Sequence, residues 1–287
     1  MIIEEANNDY EKFSVLMSVY NGENNENFSK ALESILDKQT LKPNEFVLIV
    51  DGVINEKLDI VIKNYKKKYP SILKVYRLKE NVGLGKALNY GLSKCEYNII
   101  VRADSDDINI PNRFKLQMEK FKQDSSIDVL GGNIDEFNEN YNKPINVKNM
   151  PLTHLEIVKM AKTRNPINHM TVAFKKHIIE NSGAYKHLPY LEDYYLWIRV
   201  ILNGGKFENL NQCLVHARVG NGMLERRSNK QLILSWKFLN KYMKDNNIIG
   251  EYNYLKNMIL RQIFIYIPIP IKKIIYNKLL RNWYFNK

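Results

Sequence analysis

The sequence contains only two cysteines, Cys95 and Cys213, and they do not form a CxxC pair. Disulfide scaffolds and structural zinc sites need several closely spaced ligands, so both are disfavoured and a reducing compartment is expected. No run of 18 apolar residues occurs, so the sequence predicts no membrane-spanning helix. The first 12 residues are acidic and polar, and a secretion signal is therefore not expected either.

Acidic residues are scarce in the second half of the chain. Residues 1–150 carry 21 Lys and Arg against 23 Asp and Glu, whereas residues 151–287 carry 22 against 8. Such a basic surface suits an anionic partner, either nucleic acid or an anionic membrane. The stretch Tyr252–Lys287 combines seven basic residues and no acidic ones with many Ile, Tyr, Leu and Trp. This mixture favours a lipid headgroup boundary over nucleic acid, and a packed C-terminal helix with solvated lysines is the alternative.

Short apolar runs alternate with helical patterns through the first half of the sequence. The predicted strands are Phe13–Val19, Glu45–Val50, Leu73–Leu78, Tyr97–Val101 and Val129–Phe137. The predicted helices are Phe28–Leu36, Leu58–Tyr69, Gly85–Leu92 and Phe114–Phe121. Alternation of this kind predicts an α/β fold with a mainly parallel sheet, flanked by helices. Ligands of such sheets bind beyond the carboxyl ends of the strands.

The pattern becomes less regular after Asn138. Prolines interrupt it, and the remaining predictions are helices at Leu155–Lys162, Leu191–Leu202 and Lys230–Met243, with a strand at Met170–Phe174. We find no internal repeat and no low-complexity linker. The organisation predicted is one domain over residues 1–250, followed by a basic and apolar segment over residues 251–287.

An acidic cluster, Asp104-Ser105-Asp106-Asp107, comes directly after the predicted strand Tyr97–Val101. Three acids within four positions repel one another unless a cation compensates them. Mg²⁺ or Mn²⁺ bound by one or two carboxylates and by diphosphate oxygens would do so. The alternative is an ordinary turn or helix N-cap, where Asp and Ser are common.

Three other predicted strands also end in residues suited to a nucleotide. Asp51 can accept a hydrogen bond from a base or ribose, and the aromatic ring of Tyr20 can stack on a base. The loop Asn81–Lys86 contains Gly83 and opens a helix, which would allow its backbone to approach an anion closely.

Further candidates lie in the second half. Glu192 and Asp193 stand at the predicted start of a helix, where they either complement its dipole or supply a general base for a sugar hydroxyl. The arginines Arg218, Arg226 and Arg227 lie on a Gly-rich stretch and either clamp a diphosphate or form a solvated loop.

These motifs, in this order, resemble glycosyltransferase family 2, whose single Rossmann-like domain is called the GT-A fold. The resemblance covers roughly residues 13–245. The segments Asn165–His169 and Leu191–Trp197 resemble bacterial members that build O-antigen, capsule or exopolysaccharide. The resemblance implies an inverting enzyme with a UDP-sugar donor, a lipid-linked saccharide acceptor and Mn²⁺ or Mg²⁺. It also implies that the enzyme works at the inner face of the membrane.

The resemblance also implies roles for individual residues. Tyr20 and Asp51 would contact uracil, Asp106 would bind the metal with Asp104, and Asp193 would be the base, with Glu192 orienting the acceptor. His216 is a further metal candidate, and His169 is a candidate for the acceptor pocket. The remaining predicted donor-binding residues are Asn81, Gly83, Lys86, Arg102, Ser105, Arg218 and Arg226. One departure is Val50-Asp51-Gly52-Val53, where the family commonly has Asp-Asp-Gly-Ser.

Two other functions fit parts of the pattern. A sugar-phosphate nucleotidyltransferase would open with a Gly-rich, basic loop, but Ser18–Asn25 has one Gly and no basic residue. A non-catalytic module that binds membrane or nucleic acid would not place carboxylates at its binding edge, where they repel phosphates. A metal-dependent inverting glycosyltransferase is therefore the function predicted, without a nucleic-acid partner.

Overall fold

The computed structural model describes residues 10–219 and 230–267. Its first half is a regular alternation of strands and helices. The strands are β1 Phe13–Val19, β2 Glu45–Val50, β3 Leu73–Arg77 and β4 Ile99–Arg102. The helices are α1 Asn25–Leu32, continued by a π-helical turn at Glu33–Asp37, then α2 Glu56–Lys68 and α3 Leu84–Lys94. The elements predicted here are confirmed, with ends shifted by a few residues.

The second half adds shorter strands and more helices. The strands are β5 Ile108–Asn109, β6 Val129–Phe137, β7 Asn146–Lys148, β8 Ala173–Lys175 and β9 Phe207–Arg218. The helices are α4 Arg113–Gln123, α5 His154–Ala161, α6 Lys176–Asn181, α7 Glu192–Leu202, α8 Lys230–Asp245 and α9 Glu251–Tyr266, with a 3₁₀ turn at His169–Thr171. Strand β8 begins three residues later than the predicted Met170, because the 3₁₀ turn occupies that position.

The nine strands of the described residues form one sheet in the order β3-β2-β1-β4-β8-β6-β9-β5, with β7 paired to β6. The four strands β1 to β4 are parallel, and β6 is parallel to β9. Strand β8 joins β4 and β6 in antiparallel fashion, so the sheet is mixed but mostly parallel. The strands β1 and β2 are almost fully buried because helices cover both faces of the sheet, which explains their continuous apolar sequences.

Strands β5, β7 and β9 and helix α6 were not predicted from the sequence. In β9 polar and charged residues interrupt the apolar alternation, and its pairing with β6 contains register shifts. A period-2 pattern cannot survive such a shift, so the strand has no clear sequence signal.

The C-terminal helices pack on the domain. Asn257 of α9 donates to the Lys162 carbonyl (2.9 Å) and to the Asn240 side chain of α8 (3.2 Å). Arg261 donates to the Thr163 carbonyl (3.1 Å), and its guanidinium lies 3.7 Å from the centre of the Trp236 ring. The described part of the predicted segment 251–287 is thus a docked helix, and the boundary at residue 250 stays a prediction. No helix in residues 10–219 and 230–267 is long and apolar enough to cross a membrane.

Candidate active site

The predicted nucleotide-binding residues lie at one edge of the sheet. Because β1, β2, β3 and β4 are parallel neighbours, their carboxyl ends meet there. The residues that follow these ends include Tyr20, Asp51, Asn81 and Asp104. The loops that carry them contact one another directly, as the hydrogen bonds described below establish.

Asp51 fixes the glycine-bearing loop. It is 3% exposed, and its two carboxylate oxygens accept the backbone N–H groups of Val82 (2.8 Å) and Gly83 (3.0 Å). The Asn81 side chain donates to the Asp51 carbonyl at 3.3 Å. Asp51 therefore positions the loop that starts α3, and its predicted contact with uracil stays a prediction.

The loop leaves open space beside the start of α3. Gly83 has φ +84°, a left-handed conformation that favours glycine, and no heavy atom lies within 4 Å of the position of a Cβ there. Lys86 is exposed on the first turn of α3. A helix start with an exposed lysine and free space is suited to an anion such as a phosphate.

Replacing Asp51 with asparagine tests this anchoring role. An amide side chain has one acceptor oxygen, so one of the two backbone N–H groups would face an NH₂ group. We expect Asp51→Asn to lower the free energy of unfolding by about 1.5–3 kcal/mol, the usual contribution of a charge-assisted hydrogen bond. Urea unfolding measures this, and Asp245→Asn on the exposed surface of α8 should unfold close to the wild-type midpoint. Equal midpoints for both variants would contradict the anchoring role.

Tyr20 is half-exposed at the end of β1, and its ring folds over Gly22. A Cβ added to Gly22 would lie 2.4 Å from that ring, so a side chain there would displace the ring from this position. With 51% of its surface accessible, the ring remains free to stack on a planar ligand. Its predicted contact with uracil stays a prediction.

The acidic cluster after β4 is tied to three other parts of the chain. Asp104 forms an ion pair with Arg102, which is 2% exposed. Ser105 donates to a Glu23 carboxylate oxygen at 2.7 Å, and Asp107 accepts the backbone N–H of Arg218 at 2.7 Å. These bonds hold four acids close together, namely Glu23, Asp104, Asp106 and Asp107.

The electrostatics of this cluster favour a cation. Burial, together with the charges of Asp104 and Glu23, raises the pKa of Asp106 to about 7. Burial and the neighbouring acids also raise the pKa of Asp107 well above its ordinary range. Carboxylates in this condition either bind protons or bind a positive ion. The oxygen-only ligand set of Asp104 and Asp106 fits Mg²⁺ or Mn²⁺.

Asp193 and Glu192 begin helix α7. Asp193 accepts the side-chain N–H of Asn165 at 2.6 Å and the backbone N–H of Tyr194 at 2.7 Å. Burial raises its pKa, while these hydrogen bonds and the charge of Arg102 act in the opposite direction. Burial also raises the pKa of Glu192, whose side chain lies 3.7 Å from a Cβ position at Gly85.

Helix α3 and the segment before α7 are joined by two hydrogen bonds. The Asn89 side chain donates to the Tyr185 carbonyl (2.7 Å) and accepts the Tyr185 N–H (2.8 Å). The Tyr185 hydroxyl lies 2.8 Å from His169 Nε2. Burial, assisted by the charge of Arg102, lowers the pKa of His169 well below its ordinary value, so its imidazole is neutral. His169 is thus a bonded part of this wall, and its acceptor contact stays a prediction.

Arg218 is held beside the acidic cluster. Its guanidinium donates to the carbonyls of Asp106 (3.3 Å) and Asn138 (2.8 Å) and lies 4.6 Å from the centre of the Phe137 ring. A role as a diphosphate clamp stays a prediction for Arg218. Arg226 and Arg227 lie outside the described residues.

His216 pairs with Ile108 of β5 through the backbone. Its Nδ1 lies 3.5 Å from an Asp135 carboxylate oxygen, and its ring is next to Tyr141. That His216 binds a metal together with Asp104 and Asp106 stays a prediction.

Three residues of the site were missed or given no role in the sequence analysis. Glu23 bonds Ser105, Asn165 bonds Asp193, and Tyr185 links α3 to His169. Glu23 and Tyr185 carry no local signal, since each works only through a partner distant in sequence. Asn165 belongs to the segment Asn165–His169 that the resemblance had already marked.

Comparison with known proteins decides the family. The sequence model described as "Glycosyl transferase family 2" matches residues 14–181, which is more than half of the chain and includes the acids after β4. The chain belongs to glycosyl transferase family 2. The nucleotidyltransferase alternative is thereby wrong, and the predicted fold and family are confirmed.

Two relatives of this glycosyltransferase each cover three quarters or more of its length. An uncharacterized glycosyltransferase of Haemophilus influenzae is 44% identical over 75% of this chain and 79% of its own. The UDP-Gal:alpha-D-GlcNAc-diphosphoundecaprenol beta-1,3-galactosyltransferase of Escherichia coli is 34% identical over 96% of this chain and 98% of its own.

Solved structures confirm the fold. The crystal structure of S. aureus TarS 1–349 in complex with UDP-GlcNAc matches with a TM-score of 0.65 at 19% identity, over 90% of this glycosyltransferase and 77% of that chain. At this identity the likeness establishes the architecture alone.

Proposed function

We propose that this family 2 enzyme transfers a hexosyl or N-acetylhexosaminyl group from a UDP-sugar to a lipid-linked saccharide, with inversion at the anomeric carbon, in bacterial surface polysaccharide synthesis. The Escherichia coli relative supports the substrates, since its name states a UDP-Gal donor and a diphosphoundecaprenol-linked acceptor, and it aligns over 96% of this chain. The order of motifs along the chain supports the mechanism.

One observation carries the proposal: Arg102 connects the two halves of the site. Its buried guanidinium pairs with Asp104, and its charge partly offsets the burial that raises the pKa of Asp193, so the acids for the donor and the candidate base lie within electrostatic reach of one side chain. A donor diphosphate beside Asp104 and an acceptor hydroxyl beside Asp193 would then face each other. Alignment of this kind is what a displacement reaction needs.

The donor half would use the acidic cluster. Asp106 and Asp104 would hold Mg²⁺ or Mn²⁺, which would neutralise the negative charge of the departing diphosphate. Asp51 would keep the Asn81–Lys86 loop in place for the phosphates, and Tyr20 would stack on the base.

The acceptor half would use the start of α7. Asp193 would take the proton of the acceptor hydroxyl as the new bond forms. The hydrogen bond from Asn165 orients its carboxylate, and Glu192, next to the Gly85 region of α3, would orient the acceptor sugar. A raised pKa makes Asp193 a stronger base than an exposed aspartate.

The function is tested by supplying candidate substrates to the purified protein. The first acceptor to try is a GlcNAc-diphospholipid, with UDP-Gal, UDP-Glc, UDP-GlcNAc and UDP-GalNAc as donors. We expect acceptor-dependent UDP release from at least one donor, with Mn²⁺ or Mg²⁺ present, and a glycolipid product larger by one sugar in mass spectrometry. If no donor gives a product, the panel is widened to GDP-sugars and to other acceptors. Absence of product from every such pair would contradict the enzyme class. Product from a GDP-sugar alone would contradict the UDP-sugar proposal.

A lipid-linked acceptor requires that the enzyme reach a membrane, and α9 offers a surface for this. Tyr252, Leu255, Ile259 and Ile263 recur at helical spacing and are each at least half exposed, while Lys256 lies between them. The opposite side of α9 holds Asn257, which bonds the domain. We propose that this exposed face contacts the anionic inner leaflet together with the basic residues of the chain's second half.

Two substitutions on this face test the membrane contact without removing the docked helix. We expect Leu255→Ser/Ile259→Ser to weaken binding to phosphatidylglycerol vesicles by about tenfold or more, because full burial of such a side chain contributes about 1.5–3 kcal/mol and about half of each is exposed. Turnover of a short-chain, water-soluble acceptor should stay at the wild-type level. Leu155→Ser, on the exposed face of α5, is the matched control. Unchanged sedimentation of the double variant with vesicles would contradict the proposal.

A further inference from the structure

Three side chains of metal-ligand type converge between β6 and β9, apart from the acids after β4. They are Asp135 of β6 and Cys213 and His216 of β9. One carboxylate oxygen, the thiol sulfur and one imidazole nitrogen all lie within 4.8 Å of one another. All three side chains are partly buried, so none of them is cut off completely from solvent.

The convergence depends on a bulge. Cys213 and His216 are three residues apart, and in a regular strand an odd spacing places side chains on opposite faces. Asn133 pairs with Cys213 but Ile134 pairs with Val215, so Leu214 is an extra residue in β9. The bulge turns Cys213 to the face of His216, whose cross-strand partner is Asp135.

The imidazole is available for a ligand. His216 Nδ1 is buried and has no hydrogen-bond partner, since its separation of 3.5 Å from Asp135 is too long for a good bond. Tyr141 covers the ring at a centroid distance of 5.6 Å. A buried polar atom without a partner needs a physical explanation, and a bound ion supplies one.

We infer that Asp135, Cys213 and His216 form a second metal site, which binds a borderline-soft divalent ion such as Zn²⁺. Sulfur, nitrogen and oxygen ligands together select such ions over Mg²⁺, whereas the oxygen-only set at Asp104 and Asp106 has the opposite preference. Solvent would complete a four-coordinate shell. The thiol would give up its proton on binding, as thiol ligands do.

The site lies on the strand that also supports the acidic cluster. His216 pairs with Ile108, and two residues further along β9 the Arg218 backbone donates to Asp107. An ion bound across β6 and β9 would therefore stiffen the strand pair on which the donor site rests. The inference itself stands on the ligand geometry and does not depend on the proposed function.

Cobalt is the probe for the test, because Co²⁺ replaces Zn²⁺ and a thiolate–Co²⁺ bond gives a charge-transfer band in the near ultraviolet. Purified full-length protein is titrated with Co²⁺ in excess Mg²⁺, which occupies the oxygen-only site. We expect one equivalent to produce the band, and Zn²⁺ to remove it. Because the chain has only two cysteines, Cys95→Ser is a matched control that should keep the band.

Variants of the ligands decide the outcome. Cys213→Ser should lose the band, and His216→Gln and Asp135→Asn should each weaken Co²⁺ binding by at least about tenfold. Far-ultraviolet circular dichroism confirms that each variant is folded, and the two milder variants remain informative if Cys213→Ser is not. Absence of the band in the wild type, or a band of equal strength and affinity in all three variants, would overturn the inference.

Discussion

Asp193→Asn should reduce kcat by roughly 10²–10⁴, the usual contribution of a general base. An acceptor hydroxyl is a poor nucleophile at neutral pH, so its proton must leave as the bond to the sugar forms. The amide keeps the shape of the side chain and can still accept from Asn165, but it cannot take a proton. The loss should therefore appear in kcat, while the affinity for the UDP-sugar stays nearly unchanged.

Glu192→Gln is the matched control for this variant. Glu192 lies beside α3 and, in the proposed mechanism, orients the acceptor without removing the proton, so its amide should cost much less in kcat. Calorimetry with the donor and turnover with the acceptor are measured for both variants. Near-normal turnover of Asp193→Asn, or a loss of donor binding as its main defect, would show that another group is the base.

The pH dependence of kcat gives a second view of the same residue. Burial raises the pKa of Asp193 above its ordinary value of 3.8. A base works only when it is deprotonated, so activity should fall as the pH decreases through this raised pKa. We expect the acidic limb of the wild-type profile to lie above the ordinary aspartate value and to reflect one proton. A limb at the ordinary aspartate value would mean that the base is solvated.

Asp106→Ala should abolish measurable transfer. Its carboxylate is proposed to hold the ion next to the diphosphate, and an alanine side chain has no oxygen atom that could take its place as a ligand. A chelator should have the same effect on the wild type, and Mn²⁺ or Mg²⁺ should restore the wild type but not the variant. The measurement is UDP release at saturating donor and acceptor concentrations.

Asp124→Ala is the control for removal of an acid, since Asp124 is partly exposed and lies in the turn after α4, where its side chain bonds Ser126. It should keep wild-type activity. Full activity of the wild type in the presence of chelator would show that the reaction does not need the ion.

The metal requirement should also depend on pH. Burial and the neighbouring charges raise the pKa of Asp106 to about 7, so protons compete with the metal. The metal concentration needed for half-maximal activity should therefore rise as the pH falls below about 7.

The parallel half of the sheet could be predicted from the sequence because its strands are buried on both faces. Phe13–Val19 and Glu45–Val50 are mainly apolar runs, and Asp51-Gly52 marks the end of β2. The acids after β4 could also be predicted as a site. Three like charges at the end of a strand repel one another, so they do not stabilise the fold by themselves.

The remaining parts depend on contacts between distant residues. The carboxylate of Asp51, whose contact with uracil stays a prediction, accepts the backbone N–H groups of Val82 and Gly83, 31 and 32 residues further on, and no local pattern indicates these bonds. Strand β9 was missed because its bulge breaks the period-2 pattern. The same bulge brings Cys213 next to His216, which no spacing rule would have indicated.

The anomeric configuration of the product tests whether the sugar is transferred in a single displacement with inversion. The account places one base, Asp193, opposite the departing diphosphate and includes no covalent sugar–enzyme intermediate, so a UDP-α-sugar should give a β-linked product. The coupling constant of the anomeric proton in the NMR spectrum of the purified glycolipid measures this. A β-linkage made by the wild type is the predicted result, and an α-linkage would contradict the single displacement on which the roles of Asp193, Arg102 and the acidic cluster are built.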